Sequence, residues 1–214
     1  MDKGSLLSVR VKGDFACFTR PEMKVERVSY PVPTPSAARG ILESIFWKPE
    51  FHWRVREIHV LSPIRYFSIA RNEVNAKASE RTARGWQEHG GGFDASSPEN
   101  RAQRHTLALR GADYIIRADV HVRDGVREDP AKYRDQFRLR VARGQCFAQP
   151  YLGCREFAAA FMTTDGAPDP IEATESLGAM LLDLDYQADG TGVPRFFQAR
   201  LEHGVLAVPE WEVA

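Results

Sequence analysis

Between residues 114 and 122 the chain alternates. Tyr114, Ile116, Ala118, Val120 and Val122 are apolar, and Arg117, Asp119 and His121 stand between them. A two-residue period puts successive side chains on opposite faces, so this segment reads as a strand with one buried and one wet face, the habit of antiparallel sheet. Similar patterns occur at residues 7–11, with a resumption at 15–18 after Gly13-Asp14, at about 53–61, and at about 64–69. They recur at 106–109 and 180–186, with a short strand at 157–162 and a closing hairpin of 196–201 and 205–208 around His203-Gly204. Residues 106–109 and 114–122 are expected to be two strands meeting at a turn on Gly111.

Two helices interrupt this pattern, and both announce their starts. Three prolines at 31, 33 and 35 exclude regular structure there, and Thr34-Pro35 then supplies a capping hydroxyl and a proline for the first turn. Ala38, Ile41, Leu42, Ile45 and Phe46 follow at helical spacing, and the helix must stop before Pro49. Asp129-Pro130 repeats the device. Tyr133, Phe137 and Val141 share one side of that helix, Lys132, Arg134, Arg138, Arg140 and Arg143 occupy the rest, and Gly144 ends it. Residues 72–103, including Gly90-Gly91-Gly92, lack periodicity and read as a long mobile loop. The order of elements predicts an α+β protein dominated by antiparallel sheet, and a ferredoxin-like (RRM-like) core fits that order. The expected division is 1–125 for the RRM-like unit with its loop, and 126–214 for the helix and the C-terminal sheet region.

At 214 residues and 43% hydrophobic, the chain can bury a sizeable core. Net charge is zero, yet residues 101–160 carry +5 and residues 161–214 carry −8. Of the 29 basic residues 23 are arginine, the residue suited to bidentate phosphate contact and stacking. Such polarisation fits one polyanion-binding face on an otherwise neutral protein. Cys17, Cys146 and Cys154 are too few for a disulfide framework and read as small, buried or partly buried apolar residues. Asp183 and Asp185 read as exposed acids on a strand face. There is no phosphate-binding glycine loop, no paired histidine spacing for zinc and no nucleophile elbow. With no apolar run long enough for a membrane span or a leader, a cytoplasmic protein with no membrane partner is expected.

What remains is a set of basic and aromatic residues. Arg101, Arg104, His105 and Arg110 follow the loop, Lys132 opens the arginine-rich helix, and Arg143, Gln145, Tyr151 and Arg155 come after it. Basic residues interleaved with aromatics suit looped or single-stranded RNA, and equally a solvated helix face.

Four segments narrow the choice. They are residues 13–19 (GDFACFT), residues 29–49 (SYPVPTPSAARGILESIFWKP), Gln103-Arg104-His105-Thr106, and RGQCF at 143–147 with PYLGCREF at 150–157. Together they resemble the CRISPR-associated RAMP-superfamily protein of the subtype I-C (Dvulg) system, over about residues 5–210. The resemblance implies a ferredoxin-like (RRM-like) N-terminal domain with a smaller antiparallel β-sheet C-terminal domain, and metal-independent cleavage of precursor CRISPR RNA at the base of the repeat hairpin, with no cofactor. It implies continued residence beside the backbone and large subunits of the subtype I-C surveillance complex. Double-stranded DNA is a further candidate ligand. The alternative is a non-cleaving scaffold that caps the 5′ end of the guide RNA.

In that family a tyrosine, a lysine and a histidine form the site. The matching positions here are Phe46, Lys132 and Tyr133, so the lysine is kept while the first hydroxyl and the imidazole are not. Lys132 is expected to stabilise the phosphorane, with help from backbone amides of its helical turn, and Tyr133 to orient or protonate. His105 is the expected substitute base. Arg104, Arg138, Arg143, Arg155 and Tyr151 are the expected RNA contacts.

Overall fold

The computed structural model describes residues 6–23, 25–75, 79–92, 94 and 96–210. In chain order the elements are β1 Leu7–Ala16, β2 Arg27–Val28, α1 Pro35–Ile45, β3 Phe51–Val60, β4 Tyr66–Val74, α2 Glu80–His89, β5 Arg101–Val122, α3 Pro130–Ala142, β6 Ala160–Met162, β7 Glu175–Tyr186, β8 Gly192–Glu202 and β9 Val205–Ala207. The two proline-capped helices form as their sequences require. Thr34 Oγ1 accepts from the Ala37 amide at 3.2 Å, and Asp129 Oδ1 accepts from the Ala131 amide at 2.8 Å.

β5 is the axis of a single mixed sheet with predominantly antiparallel pairing. Its C-terminal half runs between β1 and β3, antiparallel to both, and its N-terminal half pairs with β4 and, in parallel, with β2. β1 continues to β6, and β3 continues to β9, so the path reads β6-β1-β5-β3-β9-β8-β7. Helices α1 and α3 cover one face. Ile41 and Ile45 of α1 and Phe137 of α3 are buried in the same core as Phe51, Trp53 and Ile116 of the sheet. Trp53 is wholly buried, stands edge-on to Phe137 at 4.7 Å and to Phe51 at 5.5 Å, and donates its indole N–H to the Phe46 carbonyl at 2.8 Å. Such ring pairs add to plain area burial because ring edges and faces carry opposite partial charge.

Four expectations are corrected. The two strands thought to meet at Gly111 are one strand of 22 residues. Gly111 takes φ +67 within it, while β1 pairs across the position through Gly13–Ala112 and Phe15–Arg110, so the glycine bends the strand and does not turn it. The stretch 72–103 is not all loop. β4 extends to Val74, β5 begins at Arg101, and α2 lies between them, capped by Ser79, whose Oγ accepts from the Thr82 amide at 3.1 Å. No residue of α2 is buried, and a helix without an apolar face leaves no period to read. Residues 76–78, 93 and 95 of that stretch lie outside the described residues. Cys146 is exposed, while Cys17 and Cys154 are buried. Asp183 is buried, because Arg39 Nη2 reaches its Oδ1 at 2.7 Å.

Phe51 and Trp53 point to the helices, so His52 between them points to the opposite face. It pairs with His121 across β3 and β5, ring centroids 4.7 Å apart. Burial, the neighbouring His121 and the positive Arg54, Arg123 and Arg39 hold the His52 imidazole down at about 4, below its ordinary 6.5. Between those values the unfolded chain binds a proton that the folded chain refuses, so stability falls as pH drops through that window and is unaffected above it. His52→Gln is expected to flatten this loss. Melting temperatures at pH 7 and pH 5 check it, and equal acid sensitivity of the two proteins would refute it.

Candidate functional site

α1 ends where the chain turns into β3, and α3 begins beside that turn. Between them lies a cavity of about 380 Å³ lined by Phe46, Lys48, Glu50, Lys132, Tyr133, Gln136 and Arg140. Packing fixes its walls. The Phe46 carbonyl is held by Trp53, and Arg140 donates to the Ile45 carbonyl at 2.9 Å with its guanidinium 5.1 Å from the Phe46 ring centre. Tyr133 packs on Phe51 with ring centres 5.0 Å apart.

Lys132 is exposed, and its ammonium meets Glu128 one helical turn earlier at 2.8 Å. That hydrogen bond pushes the lysine up from its ordinary value, so it remains a cation at any physiological pH and serves as a charge, not as a base. The backbone amides expected to help it are already engaged. Pro130 has none, the Ala131 amide goes to the Asp129 side chain, and the Lys132 amide goes to the Asp129 carbonyl. Positive potential in this cavity therefore comes from Lys132, Lys48 and Arg140.

Tyr133 is buried, and its hydroxyl oxygen finds no hydrogen-bond partner among the described residues. Burial pushes its phenol up, helped by the charges of Glu50 and Glu128, so the proton stays on oxygen near neutrality and can be donated. Oε2 of Glu50 is likewise buried without a partner. A buried polar atom without a partner is costly, and two of them on the lining of one cavity mark a place for a polar ligand.

The structure brings Lys132, Tyr133 and Phe46 together. Arg138 and Arg143 lie on or at the end of the same helix, Arg138 paired with Asp135 at 2.9 Å. It does not bring His105 to them. His105 lies on the outer half of β5, 17 positions before Val122, whose strand partner Phe51 adjoins the cavity. That is about 56 Å of strand contour at 3.3 Å per residue, and His105 is not among the residues that line the cavity of Lys132. Its own backbone amide donates to Glu26 at 2.6 Å. Arg104 accompanies it on that outer half, opposite Arg71 of β4. Arg155 is exposed, and Tyr151 lines a second hollow beside α1. Lys48, Glu50, Gln136 and Arg140 were missed. The four-residue spacing of Lys132, Gln136 and Arg140 would have shown that they share a helix face. Nothing in the sequence signals the unpartnered oxygen of Glu50.

The family described as CRISPR-associated protein (Cas5), in its Cas5d form, matches residues 6–209. A protein of Mannheimia succiniciproducens named CRISPR pre-crRNA endoribonuclease Cas5d is 44% identical over 214 residues, covering 95% of this chain and 94% of its own. A protein of Thermus thermophilus with the same name is 41% identical over 220 residues, covering 95% and 91%. Among solved structures, one titled as a CRISPR-associated protein superimposes with a TM-score of 0.67 at 21% identity over 96% of this chain and 92% of its own. A functionally uncharacterized protein of Streptococcus mutans does so with a TM-score of 0.67 at 20% identity and the same coverage. These two establish the likeness of fold.

Proposed function

The chain belongs to the Cas5d family of CRISPR-associated proteins, and from that premise we propose that it is a metal-independent endoribonuclease that cuts precursor CRISPR RNA at the base of the repeat hairpin. The observation that carries the reading is the cavity itself, where a permanent cation, a protonated phenol and a carboxylate with an unpartnered oxygen meet. Cleavage without metal needs those three things. Glu50 takes the proton of the 2′-hydroxyl beside the scissile phosphate. The 2′-oxygen bonds to phosphorus, Lys132 offsets the charge of the phosphorane, and the bond to the 5′-oxygen breaks as Tyr133 donates its proton there. The products are a 2′,3′-cyclic phosphate and a 5′-hydroxyl. Glu50 thus fills the place expected of His105, which does not line the cavity. The test is the purified protein with its own repeat RNA in EDTA. One specific cut with a cyclic phosphate end supports the reading, and intact RNA overturns it.

After cleavage the protein stays with its product beside the backbone and large subunits of a surveillance complex. A second reading, a scaffold that caps the 5′ end of the guide RNA without cutting, is favoured by one observation: Phe46 stands in the wall with no hydroxyl. Bound but intact RNA in the same assay selects it.

In architectural terms, we read the first part of the chain as a ferredoxin-like unit. The order β6-β1-β5-β3, with α1 after β1 and α3 after β5, supports this. On this reading α3 and β6 complete the unit, which moves its end from residue 125 to about residue 162 and leaves β7, β8 and β9 as the C-terminal sheet region.

Arg138, Arg143 and Arg155 contact phosphates along the path of the RNA, with Arg104 on the outer half of β5. Replacing any one by Ala should flatten the dependence of log affinity on log salt by about one unit, because each phosphate contact releases about one counterion. Titrations of hairpin RNA at several salt concentrations measure the slope. A triple variant with an unchanged slope would remove these residues from the interface.

A further inference from the structure

One side of α1, from Ser36 to Ser44, borders a second hollow, of about 460 Å³, lined on its other sides by Phe18 and Thr19 just after β1, by Tyr151 and Gly153, and by β7. Its volume falls within the range of small-molecule sites. Two tyrosines line it, and neither is packed away: Tyr186 is 70% exposed and Tyr151 39%. Large aromatic rings left in water beside a cavity are available for stacking.

The polar part of the lining is the reverse of a phosphate site. Asp183, a residue only 5% exposed, contributes a carboxylate whose Oδ1 accepts from Arg39 Nη2 at 2.7 Å and from the Leu184 amide at 2.9 Å. Arg39 also lines the hollow, its Nε buried without a partner among the described residues. A phosphate would meet the buried negative charge of Asp183, with Glu43 3.5 Å from Arg39 close by. A flat ligand with an amino donor on its edge suits the carboxylate, and its faces suit the tyrosines. A nucleobase bearing an exocyclic amino group has that form.

Its position relative to the cleavage site agrees. Arg39, Gly40 and Ser44 line this hollow, and Phe46, the residue that follows α1, lines the cavity of Lys132. From Arg39 to Phe46 is about 10 Å along the helix, a distance crossed by very few nucleotides of single-stranded RNA. Phe147, 87% exposed and tied by its amide to the Ser44 carbonyl at 2.8 Å, stands at the junction.

We propose that this hollow seats one unpaired nucleobase of the RNA close to the cleaved phosphate, stacked on Tyr151 and Tyr186 and read at its amino edge by Asp183. The inference rests on the RNA reading above and adds the part of the substrate that sets specificity. Adenine, cytosine and guanine present the amino group; uracil does not and is the disfavoured occupant.

The test scans the single-stranded nucleotides that flank the hairpin of the protein's own repeat RNA, replacing each in turn by an abasic residue, and measures binding in EDTA by fluorescence anisotropy. With the native protein, one position should lose about tenfold in affinity, the scale of one stacked base. Restoring uracil at that position should recover less affinity than restoring any other base. In Tyr186→Ala, an exposed position whose loss spares the fold, the abasic penalty at that position should shrink to less than about twofold, while Lys132→Ala should keep it. An abasic profile identical in native protein and Tyr186→Ala overturns the base pocket alone, with RNA binding intact. Failure to bind any hairpin RNA overturns the parent reading with it.

Discussion

Lys132→Ala is expected to cut repeat RNA 10²–10³-fold more slowly than the native protein while holding the same RNA within a few-fold of native affinity. The asymmetry follows from where the charge is needed. The substrate phosphate carries one negative charge, and the phosphorane gathers more as the 2′-oxygen closes on phosphorus. A fixed ammonium therefore gains more from the transition state than from the bound substrate. The residue is exposed and its ammonium pairs with the exposed Glu128, so its removal leaves the fold alone. Single-turnover cleavage beside equilibrium binding separates the two effects. Equal loss in both would make Lys132 a binding residue, and unchanged cleavage would dismiss this cavity as the site. Glu50→Gln is the companion variant. If Glu50 is the base, cleavage in single turnover falls with it while binding holds; unchanged cleavage assigns the proton to another group.

Trp53→Ala is expected to cost about 3–5 kcal/mol of stability, the range for truncating a fully buried large aromatic. For a chain of this size that lowers the melting temperature by roughly 6–20 °C. The same change should loosen the cavity wall, because the Trp53 indole holds the Phe46 carbonyl and packs on Phe137 of α3. Trp53→Phe separates the two roles. It keeps most of the ring, so most of the stability should remain, but it removes the hydrogen bond that positions the cavity wall. Calorimetry and cleavage on the two variants decide the matter. A Trp53→Phe protein as active as native would show that the wall does not depend on that bond.

The parts of the fold legible in the sequence were those governed by local chemistry. Thr34-Pro35 and Asp129-Pro130 place helix starts because a short polar side chain and a proline suit no other position so well. The alternation from Tyr114 to Val122 fixes which side chains face the core. Gly111 misled because a positive φ serves a bend within a strand as readily as a turn between two. α2 was hidden because it buries nothing. In the candidate site, Phe46, Lys132 and Tyr133 came from the family resemblance, whereas His105 was added for its neighbour Arg104, and closeness to a basic residue in sequence says nothing about which end of a long strand it occupies. Glu50 and Asp183 could not be found as site residues at all, since what singles them out is a carboxylate enclosed by parts of the chain far apart in sequence.

The unbroken course of β5 has a mechanical consequence. On its far side the companion strand is interrupted, with β3 ending at Val60 and β4 beginning at Tyr66, but β5 spans the gap with its own backbone. The outer half, where Phe67 rests on Phe15 at 4.9 Å, is therefore tied to the inner half by one covalent strand that bends at Gly111. The inner half leads on through Val122 to its partner Phe51, and from Phe51 to the ring of Tyr133. One backbone thus links the far edge of the sheet to the cavity wall, with a glycine at its midpoint.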